Sequence, residues 1–234
     1  MTHYSNPFIE PFTAIETIHA IPSPAGYERI TPEPGSFGEW LRAIKLKKDN
    51  LVYLYNGSLK KDQSVHFAVL DIPIGKKDLQ QCADAIIRLR AQYLFDKKRY
   101  SEISFSDNDN KCYKWKGDSS KIAFNSYLEN VFCRCGTASL QKQLKPVTDL
   151  QQIQHGDVFI KGGFPGHAMI VVDIAQNRKG KKIFMLAQSY MPAQDIHIVR
   201  NPANDILNPW YEITEADEIV TPEWTFNKKS LREW

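Results

Sequence analysis

Gly156-Asp-Val-Phe-Ile-Lys-Gly-Gly-Phe-Pro-Gly-His-Ala-Met-Ile-Val-Val-Asp-Ile174 is the stretch that decides the fold. It reads as a strand over 157–161, a glycine-rich turn at 162–166 and a second strand over 168–174. The glycines let the backbone turn tightly and leave the mouth of the second strand open. His167 is therefore expected at that mouth, beside room for a ligand, with Gly166 next to it.

An imidazole that does chemistry needs a polar partner to fix its tautomer and orientation. Asp173 shares the strand and, by alternation, the face of His167, but six residues of strand span roughly 20 Å. The next strand, predicted over 183–188, offers closer groups. With Asn177-Arg178-Lys179-Gly180 as hairpin loop, Gln176 faces Lys181 and His167 lies opposite Tyr190. Gln188 is then one diagonal step away on the same face. A loop one residue different brings Ser189 across instead. Gln188 is the preferred partner, because its carbonyl accepts an imidazole N–H; Tyr190 is second.

Upstream, Leu79, Cys82, Ile86, Leu89 and Tyr93 recur at helical spacing, with Asp78 as the expected N-cap and Gln81 completing a capping box. That places Cys82 in the first turn, where unpaired N–H groups and the helix dipole lower a thiol pKa. Cys82 is the favoured nucleophile on position, although a lone cysteine on an apolar face is more often core filler. Cys112 falls in a polar loop, and Cys133 and Cys135 sit late in a helical run. Four cysteines in 234 residues are no disulfide scaffold, and Cys133-x-Cys135 lacks the second pair a structural zinc needs. No metal and no cofactor is expected.

Elsewhere, 1–36 reads as an extended arm rich in proline and aromatics. Ser36 N-caps a short helix over Phe37–Arg42. Strands are expected at 51–55, 65–72 and 195–199. Residues 101–122 read as a polar loop, and 124–140 as one helix or two broken at Gly136. The chain is taken as one domain with an insertion over 95–150. The architecture this order implies is α+β: an antiparallel sheet preceded by a long N-capped nucleophile helix, as in papain-like thiol enzymes.

A net charge of +3 gives no case for nucleic acid, and the clusters Lys45–Lys48 and Arg178–Lys182 lack interleaved aromatics. No apolar run is long enough to span a membrane. No G-x-S-x-G, P-loop or G-x-G-x-x-G is present, which removes support for serine hydrolysis and nucleotide chemistry. The start of the chain lacks a basic region followed by an apolar core, so either a cytoplasmic protein or a mature exported form fits. Arg88 and Arg90 are candidates for a substrate carboxylate, with an Asp84–Arg88 ion pair the plainer use.

The segments Gly35-Ser-Phe-Gly-Glu-Trp-Leu41, Asp78-Leu-Gln-Gln-Cys-Ala-Asp-Ala85, Pro165-Gly-His-Ala-Met-Ile-Val-Val-Asp173 and Ala187-Gln-Ser-Tyr-Met-Pro-Ala-Gln-Asp-Ile-His197 resemble an uncharacterised bacterial domain-of-unknown-function family. Its members are commonly exported or lipoprotein-like, which implies a cell-envelope location. Gly156-Asp157, Gly166-His167 and Ala187-Gln188 are also similar to the CHAP and NlpC-type amidases of bacterial cell-wall peptidoglycan. That likeness implies Cys82 as nucleophile, His167 as base and Gln188 as orienting residue, acting on a peptide or peptidoglycan fragment. The Cys82 N–H, Gln81, Ser189, Tyr190 and Gly166 would line the oxyanion and substrate side. The long insert before His167 and the unusual surroundings of Cys82 depart from those amidases. The competing expectation is a non-catalytic module for cell-wall peptides or glycans, suggested by Trp210, Trp224 and Trp234.

Overall fold

The computed structural model describes residues 15–214 and 216–234. In chain order the elements are β1 (Tyr27–Arg29), α1 (Phe37–Arg42), β2 (His66–Val69) and α2 (Cys82–Asp96). Then come β3 (Ser104–Ser106), β4 (Cys112–Lys114), α3 (Lys121–Phe132), α4 (Thr137–Gln143) and β5 (Lys145–Pro146). The C-terminal part is strand-rich: β6 (Val158–Lys161), β7 (His167–Asn177), β8 (Lys182–Gln188) and β9 (His197–Val199). It ends with β10 (Trp210–Glu212), β11 (Glu218–Val220), β12 (Thr225–Asn227) and β13 (Leu231–Glu233). This is a mixed α+β architecture with a large antiparallel sheet.

Nine strands form that sheet along the path β2-β9-β8-β7-β6-β13-β5, with β1 on β7 and β10 on β8. The long β7–β8 hairpin is its spine. One face of β7 carries Ala168, Ile170 and Val172, which pack with Ala83, Ile86 and Leu89 of α2. The other face carries Met169 and Val171, which meet Phe159, Leu186 and Phe226. The β11–β12 hairpin is a separate two-stranded sheet laid over this second face.

Ser36 caps α1 as expected, its hydroxyl accepting from Glu39 N–H at 3.3 Å. Gly136 separates α3 from α4 as the sequence suggested. Gly156 has φ +88°, and a Cβ there would sit 2.6 Å from the Phe37 ring, so this glycine lets α1 seat against the start of β6.

Several expectations change. Residues 1–14 of the supposed arm lie outside the described residues. The rest of it is no surface wrap: Ile18 and Ile21 are fully buried and β1 joins the sheet. The polar stretch 101–122 holds the β3–β4 hairpin, because buried Phe105 anchors it. Residues 51–55 make only isolated bridges, Tyr53 to Leu59 and Leu54 to Gln194.

The hairpin register carries two compensating differences. Gln176 faces Lys182 rather than Lys181, one residue off at the turn. A bulge between Val171 and Asp173 then absorbs that residue, so Ile170 faces Ala187 as the expected pairing requires. The bulge also inverts the alternation. Asp173 faces Met185 on the α2 side, opposite to the face of His167, which corrects the reading that the two share a face.

Candidate functional site

Where β7 starts and β8 ends, the register brings His167 and Gln188 together. Nε2 of His167 and Oε1 of Gln188 are 2.7 Å apart. The Tyr190 ring lies 5.0 Å from the imidazole, Trp224 5.4 Å and Phe226 5.9 Å, centre to centre. His167 is therefore only 1% exposed. The open strand mouth expected from the glycines is absent, because the Trp224 hairpin covers it. Gly166 is itself wedged in: a Cβ there would meet Gly163 O at 2.3 Å and Thr137 Oγ1 at 2.6 Å. It is a packing glycine of the turn against α4.

Cys82 is the first residue of α2, with Gln81 rather than Asp78 at the N-cap. The Asp84 carboxylate accepts the Gln81 N–H at 3.2 Å. Asp78 instead accepts from Ala193 N–H at 2.7 Å and from the Gln81 side chain at 3.0 Å. It is spent fastening the loop after Tyr190, and the Gln81 amide nitrogen is spent on Asp78. Asp84 and Arg88 do not pair, since the Asp84 carboxylate turns back to the helix start and the Arg88 Nε has no partner. Arg90 lies 5.0 Å from the Trp234 ring and 5.1 Å from the Phe37 ring, away from a substrate role.

Ser189 ties this helix start to the strand end. Its buried hydroxyl faces the carbonyl oxygens of Gln80 at 3.0 Å and Gln194 at 2.8 Å. It serves as a structural tie and leaves no free donor for a ligand. Tyr190 lies close enough to Cys82 that thiolate charge would push its phenol up, after burial and the charge of Glu223. His167 packs on Tyr190 and bonds Gln188.

The thiol behaves differently from the expectation. Burial pushes Cys82 up to about 11, and the Ala83 N–H donating to its sulfur only partly offsets this. A helix end is worth about 0.3–1 kcal/mol, under one pKa unit, whereas burial moves a group by as much as 3–5 units. Desolvation wins. It also draws His167 down to about 4, against the opposing bond from Gln188. Near neutral pH the Cys82 thiol and the His167 imidazole each rest uncharged.

Three groups here escaped the sequence reading. Gln188 Nε2 donates to Glu223 Oε2 at 2.7 Å and lies 3.2 Å from His197 Nε2. Lys60 Nζ reaches Glu223 Oε1 at 2.6 Å and sits 5.5 Å from the Tyr190 ring centre. Lys60 and Glu223 lie far apart in sequence and belong to no strand pair, so no periodicity announces them. His197 was visible only as one residue of the Gln194-Asp195-Ile196-His197 segment.

Clefts open elsewhere, one of about 720 Å³ between 146–151 and the residues Ile213, Thr214, Lys228 and Lys229, and one of about 380 Å³ around Glu33, Phe37 and His155. Neither is lined by Cys82, His167 or Gln188. Among the described residues no cluster of His, Cys, Asp and Glu could hold a metal ion, and no helix is long and apolar enough to cross a membrane. Trp210 is fully buried, donating to Pro22 O at 2.9 Å, and Trp234 donates to Gly156 O at 3.0 Å. With Trp224 against His167, the three tryptophans are structural and form no exposed binding stripe.

A family model described as Domain of unknown function (4846) matches residues 17–117 and 106–233. No curated protein and no solved structure matches the chain.

Proposed function

The chain belongs to the family described as Domain of unknown function (4846), and for this member we propose a cysteine-dependent hydrolase of amide bonds in peptides or peptidoglycan fragments. The supporting observation is the 2.7 Å His167–Gln188 contact, set beside the Ser189 tie to the residue two places before Cys82. The mechanism is that of the papain-like amidases which the short motifs resemble.

Gln188 occupies Nε2 of His167, leaving Nδ1 as the base. The Cys82 Sγ–H passes its proton to Nδ1 as sulfur bonds to the carbonyl carbon. The α2 N-terminal N–H groups stabilise the oxyanion. As the C–N bond breaks, Nδ1–H delivers its proton to the departing amine. Water then gives a proton to Nδ1, its oxygen attacks the acyl carbon, the C–S bond breaks and sulfur recovers the proton. The reaction starts from neutral partners, so a proton must move during the attack.

The test is release of new amines from peptidoglycan stem peptides. Turnover lost in both Cys82→Ala and His167→Ala is the expected result. The base must be neutral, so the acid limb of kcat/KM falls near pH 4. The burial of both groups favours a second reading, a non-catalytic peptide-binding module. Calorimetric binding of the same peptides without amine release would select it.

A further inference from the structure

We propose that Glu223, braced by Lys60, is a positioning residue that selects the tautomer of His167 through the Gln188 amide. The role rests on the hydrolase reading for its purpose, but its geometry stands independently.

The argument is an inventory of donors and acceptors. Nδ1 of His197 lies 2.9 Å from the Asp195 carbonyl, which can only accept, so Nδ1 carries the proton. Its Nε2 is then an acceptor and faces Gln188 Nε2. The Glu223 carboxylate is acceptor-only as well. Both neighbours at one end of the Gln188 amide therefore demand its NH2, which turns Oε1 toward His167. An oxygen there requires N–H at His167 Nε2, and the lone pair is forced onto Nδ1. That is the nitrogen the proposed chemistry needs.

A carboxylate is required at 223. Its Oε1 accepts from Lys60 and its Oε2 from Gln188. Glutamine has one accepting end: with its oxygen on the lysine, its NH2 meets the Gln188 NH2 and drives that amide to flip. The tight turn between β11 and β12 presents the residue, closed by the Thr221 hydroxyl on Trp224 O at 2.6 Å. The same hairpin lays Trp224 over the imidazole. One short hairpin thus carries both the cover and the orienting charge.

Histidine 15N NMR on the full chain reads the tautomer directly. Wild type is expected as Nε2–H; Glu223→Gln shifts His167 toward Nδ1–H, and Glu223→Ala, which leaves only the longer 3.2 Å neutral contact with His197 to hold the amide, gives a mixture. Amine release falls about 10- to 100-fold in either variant, on the scale known for orienting partners of metal-bound histidines. A fully wild-type tautomer in Glu223→Gln overturns the assignment; should that variant not fold, the same criterion applies to Glu223→Ala. A changed tautomer in a chain whose wild type releases no amine upholds the positioning role and defeats only the hydrolase reading.

Discussion

At the start of β7 the imidazole of His167 is held neutral by burial, in a chain of hydrogen bonds to Gln188, His197 and Glu223. Farther along the same strand, on the opposite face, Asp173 sits fully buried between two arginines and His155. Arg29 Nε is 2.7 Å from one oxygen; Arg42 Nε and His155 Nε2 are each 3.3 Å from the other, Arg42 misaligned for a hydrogen bond. Burial pushes Asp173 up, but the bonds from His155 and Arg29 and the two guanidinium charges outweigh it and hold the carboxyl below its usual value. At the first centre the imidazole stays uncharged and keeps a lone pair free. The other is saturated with counter-charges and has nothing left to offer a ligand. The contrast separates a group left with a free lone pair from one consumed in ion pairing, although both are buried polar groups on one strand.

The largest expected effect breaks the ionic centre. Asp173→Ala strands two arginines and should cost about 3–5 kcal/mol in urea unfolding, while leaving the His167 tautomer unchanged. Because the folded carboxyl is depressed, its contribution is full above roughly pH 3.9 and is lost as pH falls below that.

The neutral imidazole has its own pH signature. An unfolded histidine takes up its proton near pH 6.5, whereas folded His167 waits until about 4. Between those values the unfolded chain binds the extra proton, so this group lowers stability as pH falls through that window and has no such effect above it. Comparing wild type with His167→Gln should isolate a slope of about 1.4 kcal/mol per pH unit there. An unchanged slope would mean that His167 is solvated. The smallest effect concerns the link between α2 and the site: Ser189→Ala removes one hydroxyl and should cost about 1 kcal/mol, read as a lowered unfolding midpoint.

Local pattern was enough for much of this. Strand period gave β6, β7 and β8, helical period gave α2, and the cap at Ser36 was visible because capping is a contact between residues three apart. The His167–Gln188 pairing was also legible, since a hairpin converts sequence distance into register. It was reached through a turn wrong by one residue, and only the bulge beside Val172 made it right. Asp173 shows the other side of that accident: strict alternation placed it on the wrong face. Cys82 was located correctly at a helix start but assigned the wrong charge state, because the helix dipole is a local property and burial is not.

The sequence by itself determined the antiparallel hairpin and the long helix that precedes it, both of which follow from short-range periodicity, and it pointed to His167 and Gln188 as partners. Tertiary structure alone decided that His167 is roofed by Trp224, that Lys60 and Glu223 reach Gln188, and that the thiol rests protonated. Desolvation and acceptor geometry depend on which distant segments pack against a group, and nothing in the spacing of residues along the chain encodes that directly.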